Sequence, residues 1–561
     1  MRTVQPSRNP ILFTLCALLF AALPLAAGAA EVPADFNPFG EVVDVRLINV
    51  EVVVTDRQGN RVHDLAAADF RLLVDGEEVP LDFFTEVRDR RAVESAAPGT
   101  PAAPAGETVG TSYLVYVDDY FPLQRDRNKV LDQLAEQLSA LGPADRMAIV
   151  AYDDRQLELV SGWSSSEAEI AAALERAQER PAYGLRQLAE QRNHDRTLAL
   201  STDARSGDSL LTVGVEDRFF ASEVARKVER SVAAASASLR GFASAPGRKV
   251  MLLLSGGWPY SPVQYVARNQ AVLATGQLAD GESILRPLVD TANRLGYTVY
   301  PVDVPGLARV AGADVERGGL IDPLSGNANR FDQFSSSAFS DREGSIEDTL
   351  RHVAQETGGR PLINSRRLSA LPEVSSDVGN YYWLGFTPPG DADDRRHRVR
   401  VVVDAPGVRV RARKSYFDLT ATAERTMAVE SALIFGGVRG LDLGAASGLV
   451  AELGDAERGG RRVEVPIVVH IPTDMLTAVP EGDEWLARVE LRVGSRDGRG
   501  RVSDVAAAPV ELRFPEDPKP GRTVTYRGAL RLRNADQMLI VQVTDPVGGV
   551  TRTTEAQYAK Q

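Results

Sequence analysis

The stretch Ser112–Leu123, SYLVYVDDYFPL, decides how the rest of the chain is read. A β-favouring apolar run, Tyr113–Val117, ends in the pair Asp118-Asp119. Beyond it Val130, Leu134, Leu138 and Leu141 recur at helical spacing until Gly142-Pro143. A strand that ends in acids and feeds a helix is how an open parallel sheet delivers side chains to its carboxyl edge. Outward from this stretch the alternation continues. Met147–Tyr152 reads as a strand and Ser164-x-x-Glu167 as the capping box of a helix carrying Ile170, Leu174 and Ala177. Lys249–Ser255 (KVMLLLS) is nearly all apolar, as in a strand covered on both faces. Ile284–Leu295 reads as a helix feeding the strand Tyr297–Val304, and Ile346–Glu356 as a helix ended by Gly358-Gly359. The expected fold class is therefore α/β: a doubly wound, mostly parallel, Rossmann-like sheet over 112–386, with insertions at about 183–218 and 306–345.

Both flanks read as β. In 41–92 the run Val42 to Val54 stops at Asp56–Asn60, and Phe70–Val74 runs into the hairpin signal Asp75-Gly76. An Ala/Pro/Gly-rich linker spans 93–111, a β extension 387–420, and a C-terminal β-sandwich is expected over 425–561. At 561 residues the chain is too long for one core. Arg2 and Arg8, the apolar run Ile11–Ala27 and the small residues Ala27–Ala30 form the pattern of a signal peptide over 1–30, so a secreted or periplasmic location is expected. Cys16, the sole cysteine, lies in that leader, which excludes disulfides and thiolate chemistry after cleavage. No later run is long enough to span a bilayer, so no transmembrane anchor is expected once the signal is removed. The net charge of −13, with no basic run, argues against nucleic acid as a partner.

Several blocks together resemble a known family. Val53-Val54-Thr55-Asp56-Arg57-Gln58-Gly59, Arg248–Gly257 (RKVMLLLSGG), Asn293–Tyr297 through Asp303–Leu307, Glu356–Gly359, Tyr381–Phe386 (YYWLGF) and Arg411–Tyr416 stand in the order found in von Willebrand factor type A domain proteins. The likeness is to the exported VWFA-related set described in Acidobacteria, and it covers roughly Glu41–Leu419. The resemblance implies a type A sheet and, at its carboxyl edge, a metal-ion-dependent adhesion site of Asp-x-Ser-x-Ser, a Thr and a later Asp. Hard oxygen donors of that kind suit Mg2+. Asp118 matches the first Asp, but Tyr120 and Pro122 occupy the two Ser positions, and Gly256 stands where the later Asp falls. Asp118, Asp119 and Ser255 remain as the candidate metal ligands of a degenerate site. Alternatively, Asp118 and Asp119 cap the following helix or bind loop amides. No cofactor is expected, with Mg2+ as the alternative.

Other chemistry is thin. His63, His194, His352, His397 and His470 lack metal-ligand spacing, and Ser255-Gly256-Gly257 lacks the Gly-x-Ser-x-Gly frame of a nucleophile turn. Asp153-Asp154 forms a second acidic pair at a strand end, either a solvated turn or an acidic rim. Trp258, Tyr260 and Tyr265 follow the Ser255 turn, as an aromatic contact patch or as loop core. The expected function is an exported, non-enzymatic protein–protein interaction. It would use Asp118, Tyr120, Asp153, Asp154, Trp258 and Tyr260 to bind a protein partner at the carboxyl edge. A Mg2+-dependent adhesin with a non-standard site and a hydrolase are the alternatives.

Overall fold

A computed structural model describes residues 46–93, 106–203, 208–243, 245–256, 258–266, 280–304, 344–363, 369–434, 448–456 and 460–560. The expected signal peptide, most of the expected linker, Gly257 and nearly all of the 306–345 insertion lie outside them. Five strands come first: β1 (Ile48–Thr55), β2 (Phe70–Val74), β3 (Glu77–Val79), β4 (Phe83–Arg88) and β5 (Arg91–Ala92). Between β2 and β3, Asp75 and Gly76 take φ of 50° and 96°, the doubly left-handed turn that matches hairpin twist.

The middle of the chain forms a sheet of β6 (Thr111–Asp118), β7 (Arg146–Tyr152), β8 (Leu157–Ser164), β9 (Arg248–Ser255) and β10 (Tyr297–Asp303), in the order β10-β9-β6-β7-β8. β6 lies at its centre, and all eight of its residues are buried. Alternate residues face opposite cores. Leu114 and Tyr116 pack with Val228, Val232 and Leu288 from the helices Asp208–Gly241 and Gly281–Leu295. Tyr113, Val115 and Val117 pack with Val130, Leu134, Leu174 and Val374 from three helices on the other face. The 183–218 region, expected as an insertion of weak periodicity, contributes the helix Gly184–Asp203 and the start of the helix Asp208–Gly241. The helix after β8 starts two residues later than the expected capping box: Ser166 is its N-cap, and the Ser166 Oγ accepts the Glu169 amide at 3.4 Å.

Four further strands, β11 (Tyr381–Phe386), β12 (Arg396–Val403), β13 (Arg409–Arg411) and β14 (Ser415–Phe417), return to the first five. β11 inserts between β1 and β4, setting Val50 opposite Leu384, and β12 pairs with β2. The sheets β13-β1-β11-β4-β5 and β14-β12-β2-β3 close over Val52, Phe70, Leu72, Tyr382 and Phe386. Segments expected as an N-terminal module, the end of the sheet domain and a separate extension thus share one core.

The expectation of a doubly wound, mostly parallel sheet as the chain's fold is corrected. Among the described residues strands lie in several sheets, most of them antiparallel. Parallel ladders join β10-β9, β9-β6 and β6-β7, with one further parallel bridge from β10 at Val302 to Leu362, and every other ladder among the described strands is antiparallel. The physical reason is that a buried apolar run satisfies either ladder, so pairing direction rests on tertiary placement. β8 shows this directly. It follows β7 through a tight hairpin and therefore runs antiparallel to it.

In the C-terminal region, Val450–Leu453, Arg462–Pro472 and Thr523–Arg533 form one antiparallel sheet, and Val479–Glu481, Glu484–Asp497, Ala506–Phe514, Gln537–Asp545 and Val550–Tyr558 a second. Val465, Ile467, Val469, Leu539, Val541 and Val543 lie in the core they share. The helix Ala421–Ile434, not expected from sequence, links this region to the rest: Leu433 packs on Ile540, and the Ser431 hydroxyl donates to the Arg240 carbonyl. Among the described residues no helix is long and apolar enough to cross a membrane.

Candidate functional site

Because β6 is the central strand, the chain leaves it at Asp118-Asp119 inside the protein, and both aspartates are fully buried. The Asp118 carboxylate is saturated with donors. Its Oδ1 accepts the amides of Tyr120 at 2.9 Å and Phe121 at 3.4 Å. Its Oδ2 accepts the Ser255 hydroxyl at 3.1 Å and the Trp258 indole N–H at 2.8 Å. Burial pushes this carboxyl up to about 6, against the pull of those four donors.

Asp119 is locked differently. Its amide donates to the Tyr152 carbonyl and its own carbonyl accepts the Tyr183 amide, both at 2.8 Å. Its carboxylate lies between two guanidiniums: Arg127 Nη1 donates to Oδ1, and Arg180 Nε to Oδ2 at 2.7 Å. Arg127 is itself fully buried and also donates to the carbonyls of Gln178 at 3.0 Å and Arg180 at 2.7 Å. Arg180 reaches on to Glu158. Burial raises the Asp119 carboxyl above its ordinary value while both arginines oppose it.

These residues do not fit a divalent cation. Mg2+ needs oxygen ligands at about 2.0–2.1 Å in octahedral array. Here N–H and O–H donors occupy the Asp118 oxygens, and two fixed cations occupy those of Asp119. Ser255 directs its proton at Asp118, so it belongs to the same hydrogen-bonded cluster. Among the described residues no group of three or more His, Cys, Asp or Glu side chains could hold a metal ion.

The residues expected to meet a partner divide into two sets. Asp118, Tyr120 and Trp258 are buried, at 0%, 7% and 1% exposure, and offer no surface as they stand. Tyr120 packs edge-on against Phe121, with ring centroids 5.1 Å apart. Asp153, Asp154 and Tyr260 are half-buried. Asp153 Oδ1 accepts the amides of Arg155 and Gln156 at 2.9 Å each, forming the β7–β8 turn. Asp154, at φ 74°, grips Arg230 with both oxygens at 2.6 and 2.9 Å. Tyr260 packs edge-on against His352, with ring centroids 5.4 Å apart, and burial holds His352 below its ordinary value.

The residues missed from sequence are Arg127 and Arg180. Arg127 left a signal: on its helix it shares a face with Val130, Leu131 and Leu134, so its burial follows from the 3–4 spacing. Arg180 left none, being the residue that ends the helix Glu167–Glu179.

No protein-family model matches the chain. No curated protein matches it either. Among solved structures, the pilus adhesin SpaC from Lactobacillus rhamnosus GG is 8% identical with a TM-score of 0.20, over 80% of this chain and 54% of that one. The N-terminal domain of TFIIH p34 is 12% identical with a TM-score of 0.18, over 48% of this chain and 97% of that one. The β-glucuronidase of Bacteroides uniformis is 12% identical with a TM-score of 0.15, over 32% of this chain. The chain spans 19% of that glucuronidase and 23% of a Bacteroides fragilis β-galactosidase structure. Likenesses this low carry no argument about fold or activity, so the carboxyl edge is read from its own chemistry: a buried acidic pair consumed by internal donors.

Proposed function

We propose that this chain is an exported, non-enzymatic protein that recognises another protein through the loops at the carboxyl edge of the β6 sheet. One observation carries the reading. Asp118 and Asp119 spend their charge on Trp258, Ser255, Arg127 and Arg180, which ties the edge loops to the core and leaves neither carboxylate as a free base, nucleophile or ligand. A rigid edge of this kind presents the β7–β8 turn, where Arg155 and Gln156 are exposed beside the half-buried Asp153 and Asp154. Preorganised loops lose little entropy on binding.

The test is retention of envelope proteins by the immobilised full-length chain, with and without EDTA. The expected result is a partner held equally in EDTA and lost on Asp153→Ala with Asp154→Ala. A partner released by EDTA would favour a metal-dependent adhesin, and retention unchanged in the double variant would overturn the assignment of this edge.

A further inference from the structure

A cleft of about 820 Å3 opens between the helices Gly281–Leu295 and 344–356 on one side and β12 with the segment Val410–Lys414 on the other. That volume falls in the range of about 300–1,000 Å3 usual for small-molecule sites. Its charge runs against that of the chain. In a protein of net charge −13, the walls carry three acids, Glu282, Asp290 and Glu356, against seven cations.

The cations arrive by a simple route. β12 alternates Arg396, Arg398 and Arg400 with Val399 and Val401. The Val410–Lys414 segment adds Arg411, Arg413 and Lys414, and the helix adds Arg286. Four of these have carboxylate partners. Arg286 lies 3.7 Å from Glu282, Arg396 lies 3.4 Å from Asp290, and Lys414 lies 2.8 Å from Glu356. Arg411 is held at 2.6 Å by Asp377, outside the cleft.

All three acids are thereby consumed, and Arg398, Arg400 and Arg413 remain without an ion pair among the described residues. Asp75 acts on Arg398 at longer range but is itself engaged by His397 at 2.8 Å. Arg413 donates one Nη1 bond, to the Asn293 carbonyl at 3.2 Å, while its buried Nε has no partner. A buried guanidinium N–H without an acceptor carries a desolvation cost that an oxyanion would relieve.

We propose that this cleft binds a small anion bearing two or more phosphate or carboxylate groups, held by Arg398, Arg400 and Arg413. Guanidiniums suit both groups because each presents paired oxygens to the planar fork.

The experiment is isothermal titration of the full chain at low ionic strength with inorganic tripolyphosphate in one arm and citrate in the other. Saturable binding of at least one is expected, weakening as NaCl is raised, and the arm that binds identifies the group. Arg398→Ser with Arg400→Ser should weaken it at least tenfold. Arg527→Ser with Arg531→Ser, exposed on a strand of the C-terminal region, removes the same charge and should leave binding unchanged. Arg400→Ser alone, at an exposed position, carries the same test if the double variant fails to fold. No binding in either arm, or equal weakening in both double variants, would overturn the proposal.

Discussion

Arg127→Met tests the buried guanidinium reading most directly, because it keeps the stem's volume and removes only the charge and its donors. In the variant Asp119 keeps Arg180 alone, and Arg180 is already shared with Glu158, so two carboxylates compete for one cation. The Gln178 and Arg180 carbonyls lose a donor as well. Arg127 and Asp119 are both fully buried, so water cannot compensate cheaply. Breaking a buried pair from one side costs about 3–5 kcal/mol. At roughly 1.4 kcal/mol per tenfold, that predicts a loss of hydrogen-exchange protection of about two to four orders of magnitude at β6 amides such as Tyr116 and Val117. Combining Arg127→Met with Asp119→Asn removes the stranded charge while Arg180 keeps Glu158. That double variant should recover at least about 1 kcal/mol relative to the single one, the coupling expected of neighbours in contact. A single variant that loses less than tenfold protection, or a double variant no better than the single, would refute the reasoning.

Three other outcomes follow from the same geometry. Burial raises Asp118 from 3.8 to about 6, so the native state holds the proton more tightly than the unfolded chain; its stabilising contribution is present below about pH 4 and lost as pH rises through 6, by about 3 kcal/mol. Asp118→Asn should flatten that slope in denaturant titrations between pH 4 and 7. Asp377 behaves oppositely. Arg411, Arg61 and the Tyr300 hydroxyl hold its carboxyl well below the usual range, so its contribution is present above the unfolded value and lost as pH falls. Asp377→Asn should cost about 3–5 kcal/mol at neutral pH and remove that acid-side loss, read from urea titrations at pH 7 and pH 3. At Gly359 an added Cβ would lie 1.8 Å from the Val299 carbonyl oxygen, so Gly359→Ala should cost more than about 2 kcal/mol and loosen β10, visible in thermal unfolding.

Much of the local structure was legible in the sequence. β6 and β9 show as apolar runs, the β2–β3 turn as Asp-Gly, and the emergence of Asp118-Asp119 at a strand's carboxyl end follows from the residues alone. What that placement means was not legible. Two acids after a buried strand read as ligands or as internal acceptors, and the deciding donors come from far away: Trp258 lies 140 positions beyond Asp118. Strand pairing failed for a related reason. Val50 and Leu384 are each unremarkable apolar residues, and only the closed sheet sets them opposite one another. Alternation tells which face of a strand is buried but not which strand covers its edge.

The basic cleft shows where this gap matters for function. Along β12, Arg396, Arg398 and Arg400 alternate with His397 and Val399, a pattern common on β surfaces and uninformative alone. Its meaning depends on the composite sheets. β13 pairs with β1 and β14 with β12, so the chain between them, carrying Arg413 and Lys414, turns back beside Arg398 and Arg400. Had the N-terminal strands formed a module of their own, β13 would lack its partner and the two basic stretches would have no reason to meet. The charge inversion of the cleft is therefore a product of topology: elements from 281–295, 344–356 and 396–414 converge only because β1 organises the sheet at their back. Perturbing β1 should then disturb oxyanion binding without touching any cleft residue. Val54→Ala removes buried volume opposite Val410 on β13, at a cost of about 1–3 kcal/mol. Weakened binding of the anion that titrates, tripolyphosphate or citrate, in that variant, with no loss in a matched core variant of the C-terminal region such as Val541→Ala, is the expected result, whereas equal binding in both would separate the cleft from the sheet behind it.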